Sequence, residues 1–130
     1  MKNELVSYEL AKLAKEFGFD YQVHWFFNGE KLEFDPNLTD FNNSYWEIEE
    51  MPSFISVPTQ SLLQRWFREE HNIDIISLPV RFTGHEDIGY WTYAVKSIQP
   101  VGKQIYKFQT YEKALDAGLL EGFKYLKNVK

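Results

Sequence analysis

No cysteine occurs among the 130 residues, so disulfides, thiolate nucleophiles and zinc sites built on sulfur are all excluded. Histidine is scarce as well. His24, His71 and His85 are the only three, and none has a second histidine two, three or four residues away, so no single element carries a metal-ligand pair. Neither phosphate-loop pattern, Gly-x-x-x-x-Gly-Lys-Ser/Thr or Gly-x-Gly-x-x-Gly, is found, and there is no Gly-x-Ser-x-Gly turn to present a serine nucleophile. No window approaches the roughly 18 uninterrupted apolar residues that a membrane span needs. The leading segment, MKNELVSYEL, carries an acid early and lacks both an apolar run and a small-residue cleavage site, so it does not read as a signal peptide. A soluble cytoplasmic protein without a membrane or cofactor is the expectation.

Aromatic residues are plentiful instead. Eleven Phe, eight Tyr and four Trp exceed what a small core usually needs, so some rings should reach the surface. Sheet faces favour aromatics, which is the plainer account; a binding face is the other, because interfaces enrich them. Hydrophobic residues at 44% and charged residues at 25% exclude a disordered chain, and the length fits a single domain spanning residues 1–130.

The net charge of −5 is unevenly spread. Residues 20–51 hold Asp20, Glu30, Glu33, Asp35, Asp40, Glu47, Glu49 and Glu50 against Lys31 alone. Residues 101–130 hold six lysines against three acids. An acidic chain repels phosphate, which argues against nucleic acid; the local exceptions are Arg65 and Arg68 and the lysines Lys113, Lys124, Lys127 and Lys130.

Periodicity places three helices. Val6, Leu10, Leu13 and Phe17 form an apolar ladder over 4–17, with Asn3 available as cap and Gly18 as a left-handed stop. In PTQSLLQRWFREEHNI, residues 58–73, Pro58 and Thr59 can open a central helix whose apolar side is Leu62, Leu63, Trp66 and Phe67. Asn72 is placed as its left-handed cap. Gln64, Arg65 and Arg68 are its candidates for function. A closing helix over 111–127 follows Thr110, with Leu115, Leu119, Phe123 and Leu126 on its apolar side. Beside them Ala114, Gly118 and Gly122 recur every four residues, and interior helical glycines imply that another element comes close, the sheet or a helix of the same domain before a subunit contact.

Strands fill the intervals. Residues 19–27 alternate, and Asn28-Gly29 is the pair a type I′ turn prefers; that turn would set Trp25 opposite Leu32, Val23 opposite Phe34, His24 opposite Glu33 and Phe26 opposite Lys31. Asp35-Pro36-Asn37 should end this hairpin. A strand near 45–48, a short extended run at 54–57, and strands at 73–78, 90–98 and 104–108 follow, the last three as an antiparallel meander. The expected fold is α+β: an antiparallel or mixed sheet of about five strands, with three helices packed mainly on one face.

Candidate chemistry is thin. His85, Glu86 and Asp87 share a loop and could hold a divalent cation weakly or act as a base, although polar loop residues are usually only solvated. No catalytic, metal or cofactor-binding residue is assigned. The acids Glu47, Glu49 and Glu50 and the basic pair Arg65 and Arg68 form the candidate interaction surface.

The segment at 58–73 and TYEKALDAGLLEGFKYL at 110–126, with the leading helix ELAKLAKEFGF, resemble a family of small proteins from Bacteroides-type bacteria and their phages and mobile elements. The resemblance covers most of the chain. It implies a mobile-element accessory protein and brings no activity or catalytic residues with it. A non-enzymatic domain that contacts another protein, or its own copy, is therefore the leading expectation. The alternatives are a nucleic-acid-associated protein using Arg65, Arg68 and the C-terminal lysines, and an enzyme or metal site at His85.

Overall fold

Leu5 and Val6 continue the apolar ladder of the first helix, yet their backbone is committed elsewhere. In the computed structural model, which describes residues 4–43, 54–79, 90–96 and 107–129, Leu5 bridges to Thr59 and the Val6 N–H donates to the Pro58 carbonyl at 3.1 Å. The helix α1 therefore spans Tyr8–Glu16 and is capped by Ser7, whose hydroxyl accepts from the Leu10 N–H at 3.2 Å. Its inner side is Leu10, Ala11 and Ala14, with Leu13 and Phe17 only half-buried. At the other end Gly18 takes a φ of +88°. Its N–H donates to the Lys15 carbonyl and the Phe19 N–H donates to that of Ala14, a Schellman motif that makes Gly18 the expected left-handed stop and is followed by the buried Phe19.

Three helices and five strands lie among the described residues, and the strands form two antiparallel sheets, one of three strands and one of two. The single five-strand sheet is thus corrected. β1 (Val23–Asn28) takes β2 (Lys31–Thr39) on one side and β3 (Phe54–Val57) on the other, which fills its ladder; β4 (Asp74–Pro79) pairs with β5 (Trp91–Lys96). The expected strand at 45–48 lies outside the described residues. The chain divides into two compact units, Met1–Leu62 and Leu63–Lys130.

In the first unit the turn differs from expectation. Asn28 pairs with Lys31, so Gly29 and Glu30 are the central residues, and Gly29 has a φ of +65° while Glu30 stays out of the left-handed region. Glycine at the first central position, followed by a residue of negative φ, is the requirement of a type II′ turn. The register moves accordingly: Trp25 faces Phe34 and Phe26 faces Glu33. The slide is of two residues, so every side chain keeps its expected face. Asp35-Pro36-Asn37 does not end the strand. The pairing resumes at Val23 with Thr39, and the residues between Phe34 and Thr39 bulge out of the ladder.

β3 joins β1 with Trp25 opposite Val57 and Phe27 opposite Ile55. On that face Tyr8 of α1 packs edge-on against Phe27 at 4.9 Å. The other face is closed by the turn at 40–43. Phe41 stacks on Phe26 at 4.2 Å, its N–H donates to the buried Ser56 hydroxyl, and the Asn42 side chain bridges the Ser56 N–H and the Phe19 carbonyl.

α2 spans Gln60–His71, and the division between the units falls within it. Thr59 accepts from the Leu62 N–H at 3.2 Å as its cap, and Asn72 ends it with a φ of 55°, both as expected. In the second unit Leu63, Trp66 and Phe67 are buried. α3 (Tyr111–Val129) is capped by the Thr110 hydroxyl, which accepts from the Lys113 N–H at 3.1 Å, and it buries Ala114, Leu115, Leu119, Phe123 and Leu126. Its glycines mark the closest approach. A Cβ on Gly118 would stand 2.9 Å from Ile75 Cγ2 and 3.0 Å from Tyr93 Cβ, and one on Gly122 would stand 2.8 Å from Ile75 Cδ1 and 3.0 Å from Phe67 Cε1. The close neighbour is therefore the β4–β5 sheet together with α2, within one unit. Of the expected meander the third strand is represented by Phe108, whose N–H and carbonyl both bond Trp91, at 2.7 and 2.8 Å.

Candidate interaction surface

The rings divide between core and surface. Phe19, Phe41, Trp66, Phe67 and Phe123 are buried, whereas Tyr8, Phe34, Tyr90 and Tyr111 are exposed. Among these Phe34 stands out at 54% exposure, with Leu38 beside it in the chain at 55%. Both come from β2, an edge strand among the described residues. Phe34 still faces Trp25 across the ladder and is open toward the unpaired edge, whereas between Phe34 and Thr39 the backbone leaves the ladder, so Leu38 has no cross-strand partner in β1.

Phe34 is exposed but held. The Trp25 ring meets it edge-on at 5.0 Å and the His24 ring stacks on it at 5.4 Å. His24 is itself anchored, because its Nδ1 lies 3.0 Å from the Asp35 carbonyl oxygen. A carbonyl can only accept, so Nδ1 carries the proton. The expected His24–Glu33 pairing is thereby corrected: the two-residue slide brings Phe26 to Glu33 and leaves His24 at the bulge. The bulge is stiffened by Pro36 and by the Asp35 carboxylate, which accepts from the Asn37 N–H at 2.9 Å. An aromatic fixed in this way loses little rotamer freedom on contact.

The same bulge blocks another use of the edge. Pro36 has no N–H to offer, and a bulge disrupts the row of groups that an added strand would need, so β2 is poorly suited to pairing with a foreign strand. A contact here would go through side chains. Burying the exposed halves of Phe34 and Leu38 contributes about 1 kcal/mol each, well under the association cost of at least about 4 kcal/mol. A contact here would therefore need more than these two side chains. The flanking sequence is acidic: Glu30, Glu33, Asp35 and Asp40 against Lys31, which lies 3.8 Å from Glu33.

The basic candidates are arranged differently. Arg65 and Arg68 are exposed on α2, and Arg65 Nε donates to Glu69 Oε1 at 3.1 Å. With Glu69 and Glu70 next along the helix, two cations meet two anions and no net basic patch results. Gln64 is structural, its side-chain amide donating to the Ile75 carbonyl at 2.7 Å. Lys113, Lys124 and Lys127 are exposed on α3. Glu47, Glu49, Glu50 and His85 lie outside the described residues, as does Lys130. Among the described residues no group of three or more histidines and acids is placed to hold a metal ion, and no helix is long and apolar enough to cross a membrane.

One strongly placed cation remains. Lys15 Nζ donates to the Phe54 carbonyl at 2.7 Å, and partial burial lowers its pKa below 10.5. It joins α1 to β3.

Phe34 faces Trp25 and not Val23, its expected partner, and Leu38 carries no pattern in the sequence that marks it. The available signal was Asp35-Pro36-Asn37, a turn-forming triplet whose position inside a strand, rather than after it, leaves Leu38 without a cross-strand partner. No family model matches the chain, and neither a curated protein nor a solved structure matches it.

Proposed function

We propose that the chain is a non-enzymatic protein-interaction domain whose contact surface is the β1–β2 hairpin around Phe34 and Leu38. The observation that carries this reading is a half-exposed phenylalanine fixed by two neighbouring rings and an anchored bulge. A rigid, protruding aromatic is the kind of side chain that dominates binding energy at interfaces. The acids Glu47, Glu49 and Glu50 extend the same acidic stretch of sequence and belong to the proposed surface. The resemblance to mobile-element proteins makes an accessory role in a phage or mobile element, in the cytoplasm, the fitting setting.

The test compares proteins retained by the immobilised wild-type chain with those retained by a Phe34→Ala/Leu38→Ser variant and by charge reversal at Glu47, Glu49 and Glu50. Selective loss of the same partner from both variants supports the reading, and an unchanged set of retained proteins contradicts it. The nucleic-acid alternative is read in parallel from duplex binding at rising salt. Phosphate contacts impose a steep salt slope, which the Arg65→Glu/Arg68→Glu variant would abolish if those residues made them.

A further inference from the structure

We infer that the partner seated on the hairpin is a cationic segment of another protein, with an arginine laid over the exposed Phe34 ring and an apolar side chain beside it on Leu38. The inference rests on the proposed contact surface and adds the chemistry of its occupant.

Three features of the hairpin select this occupant. Phe34 is 54% exposed while Trp25 and His24 hold its ring in place, and a guanidinium is attracted to an exposed aromatic ring while also stacking on it through its plane. Leu38, as exposed as Phe34, lies in the bulge and offers an apolar neighbour a surface. The surrounding charge supplies the sign: residues 20–43 carry Asp20, Glu30, Glu33, Asp35 and Asp40 against Lys31. Several of these acids are partly used. Asp40 accepts from the Asn42 N–H and the Asn43 side-chain amide, and Asp35 from the Asn37 N–H. Those bonds are to neutral donors and leave the negative charge in place; Glu33 is offset by Lys31 at 3.8 Å, and the net acidity rests on the other acids. An acidic surface attracts a cationic segment and repels an acidic one, which sets partner choice and association rate. Nucleic acid is disfavoured by the same charge, and a second strand added to the β2 edge is disfavoured by Pro36 and the bulge.

The experiment selects random linear peptides, displayed on phage, against the full-length chain and counter-selects against the Phe34→Ala variant. Enriched peptides are then synthesised and titrated into isotopically labelled protein. The expected result is enrichment of arginine next to leucine or an aromatic. Shift changes should centre on residues 24–38, Phe34→Ala should weaken affinity about tenfold or more, and binding should weaken further as salt rises. Replacing the peptide arginine by lysine should weaken binding more than a charge-only contact allows. Phe34-dependent peptides that are acidic or uncharged overturn this inference and leave the contact surface standing. No Phe34-dependent peptide at all overturns both. Phe34→Leu, which keeps an apolar side chain and removes the ring, guards against a folding artefact: retained affinity in that variant also overturns the arginine-on-ring contact.

Discussion

Ile75 Cδ1 lies 2.8 Å from where a β-carbon on Gly122 would stand, so the β4–β5 sheet and α3 meet at a distance only glycine allows. Gly118 meets the same isoleucine through Cγ2, at 2.9 Å, and Tyr93 through its Cβ at 3.0 Å. The two glycines therefore differ in what they touch. Cδ1 and the Phe67 ring edge beside it are the far ends of side chains, whereas Cγ2 and a Cβ are fixed close to the backbone.

That difference predicts unequal costs. Alanine in a helix gains about 1 kcal/mol over glycine, and crowding costs about 1–3 kcal/mol. Gly118→Ala should destabilise by about 1–2 kcal/mol net and Gly122→Ala by about 1 kcal/mol or less. Ile75→Val removes Cδ1 and keeps Cγ2, so in urea unfolding it should offset Gly122→Ala and leave the cost of Gly118→Ala unchanged. Equal coupling to both glycines would contradict the packing described.

The hairpin turn gives a second discrimination. With Gly29 at a φ of +65° and Asn28 in the strand, Gly29→Ala should cost about 1 kcal/mol and Asn28→Ala much less. A type I′ turn on Asn28-Gly29 would instead make both substitutions costly. Thermal unfolding of the two variants distinguishes these outcomes.

Asn72 ends α2 in the left-handed region at a φ of 55°. Asn72→Ala should destabilise by about 1 kcal/mol, and Asn72→Gly should be neutral or slightly stabilising, because glycine meets no steric penalty there. The midpoints of denaturant unfolding report both.

Lys15 predicts a pH effect. Burial disfavours its charged form, so its pKa falls below 10.5 in the folded chain. The unfolded chain then holds this proton to higher pH than the folded one, and unfolding takes up protons in the window between the lowered value and 10.5. The Lys15 contribution to stability therefore rises with pH through that window. Lys15→Met should remove this part of the alkaline slope, read as the difference between wild type and variant in urea unfolding at stepped pH.

How far the fold was legible follows from where each signal is stored. Helix ends set by one residue and its own backbone were readable: Gly18, Thr59, Asn72 and Thr110 act within a turn of themselves. The start of α1 was not, because Leu5 and Val6 are drawn out of the helix by Thr59 and Pro58, more than fifty residues along the chain. The faces of β1 and β2 were readable from alternation, but the choice between two turns built on the same Gly29 depends on which residues then pair. The small residues of α3 announced a close neighbour. Ile75 as that neighbour is a property of the tertiary fold. The surface at Phe34 and Leu38 was hidden for a related reason: Phe34 lies on an edge strand and Leu38 in a bulge, and both the strand order and the bulge are properties of paired strands that neither strand shows alone.

Phe34 is proposed as a point of contact with another protein. The most direct measurement places a photo-crosslinking phenylalanine derivative at position 34 in the full-length chain and, as a reference, at position 113 on the exposed first turn of α3, and irradiates cells expressing each. A discrete protein adduct is expected from position 34, lost on charge reversal of the neighbouring acids and absent from position 113. Adducts from position 34 that are no different from those at position 113 would contradict it.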